Sequence, residues 1–517
     1  MTTAALNADR SDHDATAADA VTDELLNVLV RDHDATSRPT FERLWDYYRN
    51  ELDFGQSDAH RPYTTAQEQG LPHRLTRRPG EAVGMMDVGG GRREVVIEND
   101  IAWRIHTLVD FMFGKGVTVE SLADDRDTAG LIERAIGAVF DANGGVRFFA
   151  DMALLGSVYG FVDVLLRVDQ LHVQPTVTTS DSGFGDRSAA RAPSNTPDAE
   201  RVIRAADRFV LETVEAPRAI PVLNPADYRR LEAYVLNYTQ QLNRVARDSF
   251  LSRLVDGSGQ PRGRLATCDV TEVWTDRAIR VQRDGQWAVD VPNVLGRLPV
   301  VHIQNLPQPF FYEGLSEVEP LMPLQDELNT RLSDRANRVT FQSFKMYLGK
   351  GIEDFLERPV GPGQMWTTDN LEASIAEFGG DGDNPSETAH INEIREALDK
   401  TSTVTPVAAG LLRGKVGNLT SEAALRVVLM GLLARTEKKR LTYGRGLEQV
   451  CELILHALDV TGVLPTRPAD RRVRLHWPSP LPENQSQRLR DAQMKLEVGV
   501  PRRRVLAELG YAHQDTD

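Results

Sequence analysis

Few residues in this 517-residue chain have the types and spacing that chemistry requires. The pentad Asp-His-Asp-Ala-Thr occurs twice, at Asp12–Thr16 and at Asp32–Thr36, and imidazole and carboxylate groups can together ligate a metal ion. Both copies lie in a polar, acidic, alanine-rich stretch, which favours a solvated arm over a metal site. Cys268 and Cys451 are far apart and match no Cys/His ligand spacing. We therefore predict no metal site.

Motifs for phosphate binding and for acid–base catalysis are also missing from the sequence. Gly89-Gly90-Gly91 is followed by two arginines but lacks the Lys-Ser/Thr of a phosphate loop and the spacing of a dinucleotide fingerprint, so a flexible turn is expected. The sequence contains no G-x-S-x-G and no H-E-x-x-H. The carboxylate pairs Asp124-Asp125 and Glu393/Glu396 have no context that marks them as acid–base partners. We predict that the chain is not an enzyme and needs no cofactor.

Composition limits the class of protein further. With 41% hydrophobic and 26% charged residues, the chain resembles an ordinary soluble globular protein, and its length predicts more than one domain. It has no apolar stretch of about 18 residues and no secretion signal pattern, so no membrane contact is expected. The two cysteines fit a reducing cytosol. The net charge of −15 argues against tight DNA binding, although an acidic wall suits a protein past which DNA slides.

Hydrophobic periodicity predicts an α+β fold. Residues 1–37 are expected to form a disordered acidic arm, and residues 174–198, rich in Ser, Thr, Gly and Pro, a disordered insert. Helices are predicted at Phe41–Phe54, Ile97–Phe113, Ala129–Asn143, Arg147–Tyr159, Ser316–Ser343, Gln485–Glu497 and Arg502–Leu509. Strands are predicted at Phe161–Val168, Phe209–Glu215, Leu231–Tyr238, Cys268–Trp274, Ala278–Val281, Trp287–Val291, Pro299–Gln304, Met346–Leu348, Ser374–Phe378 and Val473–His476. Asp284-Gly285 predicts a hairpin turn.

The stretch from Asn384 to Thr461 organises the rest of the chain. A helix is predicted at Pro385–Ser402, followed by a glycine-rich loop and then by one helix of roughly 40 residues, about 60 Å long. This long helix begins almost wholly apolar at Ala423–Leu433, which requires burial on all sides, and turns basic in its middle. The simplest interpretation is a packed helix with a solvated, charged middle.

The order of these segments is what makes a family recognisable. The sequence contains Leu298-Pro-Val-Val-His-Ile-Gln-Asn305, then Gly314-Leu-Ser-Glu-Val-Glu319 with Leu324-Gln-Asp-Glu-Leu-Asn329 and Ser333-Asp-Arg-Ala-Asn337, and later Thr405-Pro-Val-Ala-Ala-Gly410 through Gly417-Asn-Leu-Thr-Ser-Glu-Ala424. With Pro482-Glu-Asn484 near the C-terminus, these segments resemble the portal protein of tailed bacteriophages, of the siphophage type also found in prophages and gene-transfer particles. Each motif is degenerate, and the resemblance covers roughly residues 95–510.

The resemblance implies a division of the chain into portal domains, with the arm and the insert as departures from the common pattern. The implied segments are the arm at 1–37, a β-rich wing at 38–310, a stem helix at 311–344, a small α/β clip at 345–384, a second stem helix at 385–403, a tunnel loop at 404–419, a long wing-crossing helix at 420–464 and a helical crown at 465–517. The loop residues implied to face DNA are Leu411, Leu412, Arg413, Lys415 and Asn418. Arg413 and Lys415 are expected to make weak, transient phosphate contacts there.

The function implied is a ring, dodecameric in most of the family, at one capsid vertex. It would be the conduit and gate for DNA packaging and ejection and would nucleate capsid assembly. Implied partners are further copies of the chain, double-stranded DNA, the terminase large subunit, the major capsid and scaffold proteins and a head–tail adaptor protein. The implied location is the virion, with assembly in the host cytoplasm. The alternatives are another head–tail connector or ring component of a phage-like particle, or an enzyme of unrecognised type.

Overall fold

The computed structural model describes most of the chain but leaves several stretches undescribed. The described residues are 21–50, 96–167, 199–245, 265–343, 346–350, 371–378, 385–409, 422–481, 485–500, 502 and 505–506. The five loop residues expected to face DNA, from Leu411 to Asn418, lie outside them. So do the insert at 174–198, the three glycines at 89–91 and the first Asp-His-Asp-Ala-Thr pentad. These predictions therefore stay predictions.

Helices and strands occur in one mixed fold, which confirms the α+β class. The α-helices are α1 (Asp23–Asp32), α2 (Arg38–Arg49), α3 (Asp100–Phe113), α4 (Arg126–Ala142), α5 (Val146–Tyr159), α6 (Ala199–Ala205), α7 (Met322–Ser343), α8 (Pro385–Ser402), α9 (Glu422–Val428), α10 (Met430–Val460) and α11 (Gln485–Glu497). The strands are β1 (Thr118–Ser121), β2 (Phe161–Arg167), β3 (Val210–Val214), β4 (Ala219–Asn224), β5 (Asp227–Val245), β6 (Leu265–Trp274), β7 (Ala278–Arg283), β8 (Gln286–Pro292), β9 (Val300–Gln304), β10 (Met346–Lys350), β11 (Ser374–Phe378) and β12 (Val473–His476).

The chain divides into two compact units. The first unit contains residues 1–39, 105–316 and 404–517, and the second contains residues 40–104 and 317–403. Among its described residues, the first unit has three sheets: β4-β5-β6-β7-β8, β3-β2-β9 and β1-β12. The second unit has the two-stranded sheet β10-β11. All pairings in these sheets are antiparallel.

The five-stranded sheet of the first unit contains a tight hairpin turn and has one face buried. Asp284 and Gly285 both have positive φ, +47° and +79°, and connect β7 to β8 as the Asp-Gly pair predicts. One face of the sheet is covered by α1. The buried cluster there consists of Val21, Leu26, Ile220, Ala233, Val235 and Val273. The expected disorder up to residue 37 is therefore wrong for α1 and the helical residues His33–Ser37, because a short apolar stripe in this acidic stretch is buried on the sheet.

The second unit is held together by polar side chains that lie at four-residue spacing on α7. The extended backbone before α3 donates hydrogen bonds to three of them in turn: Val96 N to Ser333 Oγ, Glu98 N to Asn329 Oδ1 and Asp100 N to Gln325 Oε1, each at 3.0 Å. All three side chains are about 1% exposed. In an extended segment, every second residue faces the same side, and on a helix every fourth residue does. Every second amide of the segment therefore meets the next turn of α7. These contacts of α7 are therefore made to backbone amides, while the carboxylate of Glu98 pairs with Arg395 on α8 at 2.5 Å.

Within the same unit, α3 and α8 are joined by one arginine. Arg104 is 1% exposed and contacts Asp100 at 3.0 Å, Asp399 at 2.7 Å and Ser402 Oγ at 3.0 Å. Its guanidinium also lies over the ring of Trp103. The planar guanidinium has five donors in a fixed geometry, which is what allows one side chain to bridge three partners.

Several predicted boundaries need correction. The helix expected to open at Ser316 begins at Met322 after a short 3-10 turn at Glu319–Leu321, and Pro323 is tolerated in its first turn, where no N–H partner is required. The uninterrupted helix expected from Thr420 has a break at Leu429, between α9 and α10. By contrast, the limits predicted for α8, β11, β12 and α11 are confirmed.

Candidate functional site

The candidate site is built on α10, since the loop residues predicted to face DNA are not described. At 1.5 Å per residue, the 31 residues of α10 span about 46 Å. Its first turns, together with α9, expose large apolar side chains. Val427 is 71% exposed, Met430 67% and Leu441 76%. The requirement that the apolar start of this helix be buried on all sides is not met within one copy of the chain.

The charged middle of α10 is partly buried, which corrects the interpretation of a wholly solvated segment. Lys438 is exposed, whereas Lys439 beside it is 0% exposed and donates a 2.7 Å hydrogen bond from Nζ to Ser157 Oγ on α5. The ammonium also lies 6.0 Å from the ring centroid of Tyr443. Burial of an ammonium is costly without partners. This contact therefore fixes the rotation of α10 on α5.

A second set of contacts fixes the position of α10 along its own axis, relative to the segment after β9. Tyr443 OH donates to Asn305 Oδ1 at 3.2 Å, and Asn305 Nδ2 donates to the carbonyl of Leu315 at 3.0 Å. Two glycines make room for this approach. A Cβ atom at Gly156 would overlap Tyr443 OH, and one at Gly446 would overlap the side chain of Ile303. Glycine is required at both positions by packing rather than by backbone conformation.

Arg440 anchors a second side of α10, about 100° around the helix from Lys439. It is 9% exposed and donates to the carbonyl oxygens of Phe111 at 3.3 Å and Pro478 at 3.0 Å, and it pairs with Glu437 at 3.0 Å. The guanidinium lies over the ring of Trp477. Burial lowers the pKa of Arg440 from its usual value, but an arginine pKa is so high that the group stays charged. The arginine therefore ties the segment around β12 to the long helix.

The first unit also contains a buried carboxylate with three partners. Asp163 is 0% exposed and accepts hydrogen bonds from Tyr234 OH at 2.7 Å and from Tyr312 OH at 2.9 Å, while His302 Nδ1 lies 2.7 Å from its Oδ1. Burial, and then the negative charge of Asp163, raise the pKa of both tyrosines well above 10. Both phenols therefore stay protonated and act as donors. The cluster joins β2, β5, β9 and the segment after β9 through buried hydrogen bonds.

Neither a metal-binding cluster nor a membrane-spanning helix is found among the described residues. Within the described ranges, no group of three or more His, Cys, Asp or Glu side chains is arranged to hold a metal ion. Among the helices the structure describes, none is long and apolar enough to cross a bilayer. The polar residues that sequence reasoning missed are Gln325, Asn329 and Ser333 on α7, together with Lys439. Only the four-residue spacing of the first three was visible in the sequence.

Comparison with known families identifies the class of protein. The family described as phage portal protein, SPP1 Gp6-like, matches residues 29–510, which is most of the chain and includes parts of both units. The chain therefore belongs to this family of portal proteins, as the order of its segments predicted. The family is a structural one and not a family of enzymes.

Two solved structures are also similar to the chain, although no curated protein matches it. The first is a chain from the virion of a native gene transfer agent particle, 12% identical, with a TM-score of 0.41, covering 82% of this chain and 97% of the other. The second comes from the neck of an empty gene transfer agent particle, computed with C6 symmetry, 11% identical, with a TM-score of 0.42 and the same coverage.

Proposed function

We propose that copies of this chain form a closed ring at one vertex of a phage-like capsid and that the ring is the conduit and gate through which DNA enters and leaves. The observation that carries the proposal is the family match over residues 29–510. A ring of identical chains needs two different surfaces that meet head to tail and close. The family typically forms rings of about a dozen copies, which is the stoichiometry proposed for this chain.

The start of the long helix supports assembly. Val427 and Met430 lie on either side of the break at Leu429 and are 71% and 67% exposed. Burying an apolar side chain of this size contributes about 1.5–3 kcal/mol of stabilising free energy, which these exposed side chains do not gain in a single chain. A neighbouring copy packed against α9 and the first turns of α10 would bury them, which completes the burial that this segment requires.

The portal segments are assigned as follows under this proposal. The helices α7 and α8 form the stem, β10 and β11 belong to the clip, α9 and α10 form the wing-crossing helix, and the residues after Pro465 form the crown. Residues 404–419 form the tunnel loop. Arg413 and Lys415 in it contact DNA phosphates without sequence preference, while the net charge of −15 keeps the remaining channel wall from holding DNA.

The proposed partners follow from this position in the particle. The sequence carries no nucleotide-binding loop, so the energy for packaging comes from the terminase large subunit docked on the ring. A head–tail adaptor protein replaces the terminase after filling. The major capsid and scaffold proteins assemble around the ring. This assembly takes place in the host cytoplasm, and the ring ends up in the virion.

The proposal is tested in cells that produce the particle, with this gene removed and supplied in trans. Without the chain, no DNA-filled particles are expected, and the wild-type chain restores them. A chain lacking residues 411–417 is expected to enter particles as a ring but to leave them without retained DNA. Lys438→Ala, an exposed substitution on α10 away from the loop, serves as a matched control with normal DNA content. DNA-filled particles made without the chain would contradict the proposal.

A further inference from the structure

Two neighbouring phenylalanines after β9 have exposed side chains. Phe310 is 82% exposed and Phe311 is 54% exposed. Phe310 also has a φ of +71°, in the left-handed region that bulky side chains rarely adopt. A strained backbone that presents an aromatic pair to water is retained where the surrounding structure holds it for a purpose. We call Phe310 and Phe311 the aromatic knob.

The structure holds the knob in place from both sides. Gln304 Nε2 donates to the carbonyls of Phe311 and Tyr312, each at 3.0 Å, and its Oε1 accepts from Gln308 N at 3.3 Å. Tyr312, the next residue, is buried, and its hydroxyl donates to Asp163. The knob is therefore a preorganised feature, and little conformational entropy is lost when a partner covers it.

A groove lined by both apolar and polar side chains lies elsewhere in the same unit. Between β3 and one face of the five-stranded sheet is a cavity of about 820 Å³. Its apolar lining consists of Val210, Leu211, Val270, Ile279, Val281, Val289 and Val291. The last two lie on the edge strand β8 and are 36% and 37% exposed. A cavity of this size is large enough for two aromatic side chains, because pockets of about 300–1,000 Å³ enclose whole small ligands.

Most of the charged residues at the groove belong to one set of ion pairs, whereas Arg283 lines the groove outside that set. Arg167 contacts both Glu212, at 2.6 Å, and Glu272, and Arg218 contacts Glu212 at 3.1 Å. Tyr238 donates a 2.7 Å hydrogen bond to Glu272. Apart from Arg283, the groove therefore presents neutralised charge beside apolar side chains, which suits an uncharged partner. Residues 306–312, Leu-Pro-Gln-Pro-Phe-Phe-Tyr, carry no charge.

The knob cannot fill the groove of its own chain. The ring of Phe310 lies 6.3 Å from the ring of Tyr228, at the start of β5, whereas the groove is lined by Tyr238 and Gln240, past the middle of that strand. Ten residues of extended strand separate Tyr228 from Tyr238, which is roughly 33 Å. A knob and a groove this far apart in one chain can meet only between copies, the arrangement that produces a head-to-tail ring.

We propose that Phe310 and Phe311 of one copy insert into the groove between β3 and the five-stranded sheet of the next copy. This inference rests on the ring assembly proposed above and names the surfaces that build it. The partner is thus a second copy of this chain, and each copy uses its knob on one side and its groove on the other.

The first experiment measures assembly by light scattering over a concentration series. The double variant Phe310→Ser/Phe311→Ser is expected to raise the protein concentration needed for ring formation roughly tenfold or more, as exposure of buried aromatic side chains predicts. The matched control is Leu489→Ser/Met494→Ser, which removes two comparably exposed apolar side chains from α11. The control should assemble as the wild type does.

The second experiment places the two surfaces against each other by cross-linking. The variant Phe311→Cys/Val291→Cys is expected to give covalent oligomers on oxidation, against a low background because both native cysteines are buried. The control Phe311→Cys/Asp290→Cys moves one thiol to the other face of β8 and should remain uncross-linked. Wild-type rings together with unaffected serine variants and no cross-link would overturn this inference while leaving the proposed function intact. Failure of the wild type to form any ring would overturn both.

Discussion

The ammonium of Lys439 on α10 lies 2.7 Å from the hydroxyl oxygen of Ser157 on α5, and both side chains are fully buried. Ser157→Ala removes one partner of a buried charge and should lower the free energy of unfolding by about 1–3 kcal/mol. Replacing both groups, in Ser157→Ala/Lys439→Met, should cost less than the serine variant alone, because no buried charge then remains.

Denaturant unfolding checks this prediction, with Lys438→Met as the exposed control that should change stability by less than about 0.5 kcal/mol. A double variant that is less stable than Ser157→Ala would show that Lys439 is not a buried charge that depends on the serine.

Glycine at position 160 is predicted to be irreplaceable. Gly160 has a φ of +90°, and a Cβ atom there would overlap the carbonyl oxygen of Gly314, which is backbone and cannot move aside. Gly160→Ala should therefore cost at least about 2 kcal/mol of stability, from strain and overlap together. Gly137→Ala is the control, because nothing lies within 4 Å of its Cβ position in α4. It should stabilise the protein by about 0.5–1 kcal/mol. Thermal unfolding that ranks the two variants in the opposite order would contradict the packing described.

The contact between α7 and the chain before α3 predicts residue-specific effects. Asn329→Ala leaves the partly buried amide of Glu98 without its acceptor and should speed hydrogen exchange at that amide. Ser333→Ala should act in the same way on the amide of Val96. Arg335→Ala, on the exposed side of α7, is the control and should change neither amide. Equal exchange changes at both amides in both variants would argue against separate contacts at four-residue spacing.

Alkaline pH should weaken the first unit through Tyr238. Burial, helped by its hydrogen bond to Glu272, raises the pKa of Tyr238 to about 12. An unfolded tyrosine titrates near pH 10. Because the folded pKa is the higher one, its stabilising contribution is complete below about pH 10 and is lost as the pH rises from about 10 to 12.

Tyr238→Phe should therefore lose less stability over that interval than the wild type does. Tyrosinate absorbance, measured as the difference between the two proteins, should show one group that titrates near pH 12. A difference titration centred near pH 10 would contradict the buried hydrogen bond.

Elements with strong local signals could be predicted from the sequence. The helix α8 carries Ile391, Ile394 and Leu398 at helical spacing, and its limits are as expected. The Asp-Gly turn between β7 and β8 follows from the positive φ that only such residues adopt readily. Local patterns of this kind are sufficient because the energetic preference lies within the segment itself.

Elements that depend on distant partners could not be predicted. The strand β1 has only four residues and pairs with β12, so that Thr118 lies opposite His476. Lys439 is buried because Ser157, 282 residues away, receives its hydrogen bond, while nothing in the basic run around it distinguishes it from Lys438. The helix α1 is acidic on average and is fixed by burial of Val21 and Leu26 on the five-stranded sheet.

The central claim is that the chain assembles into a closed ring, and the mass of the purified protein in solution tests it most directly. Light scattering over a concentration series, followed by negative-stain images, should show particles of about a dozen 57.5 kDa chains around a central hole. A protein that remains a monomer at every concentration and in isolated particles, or one that forms a compact dimer without a hole, would contradict the account.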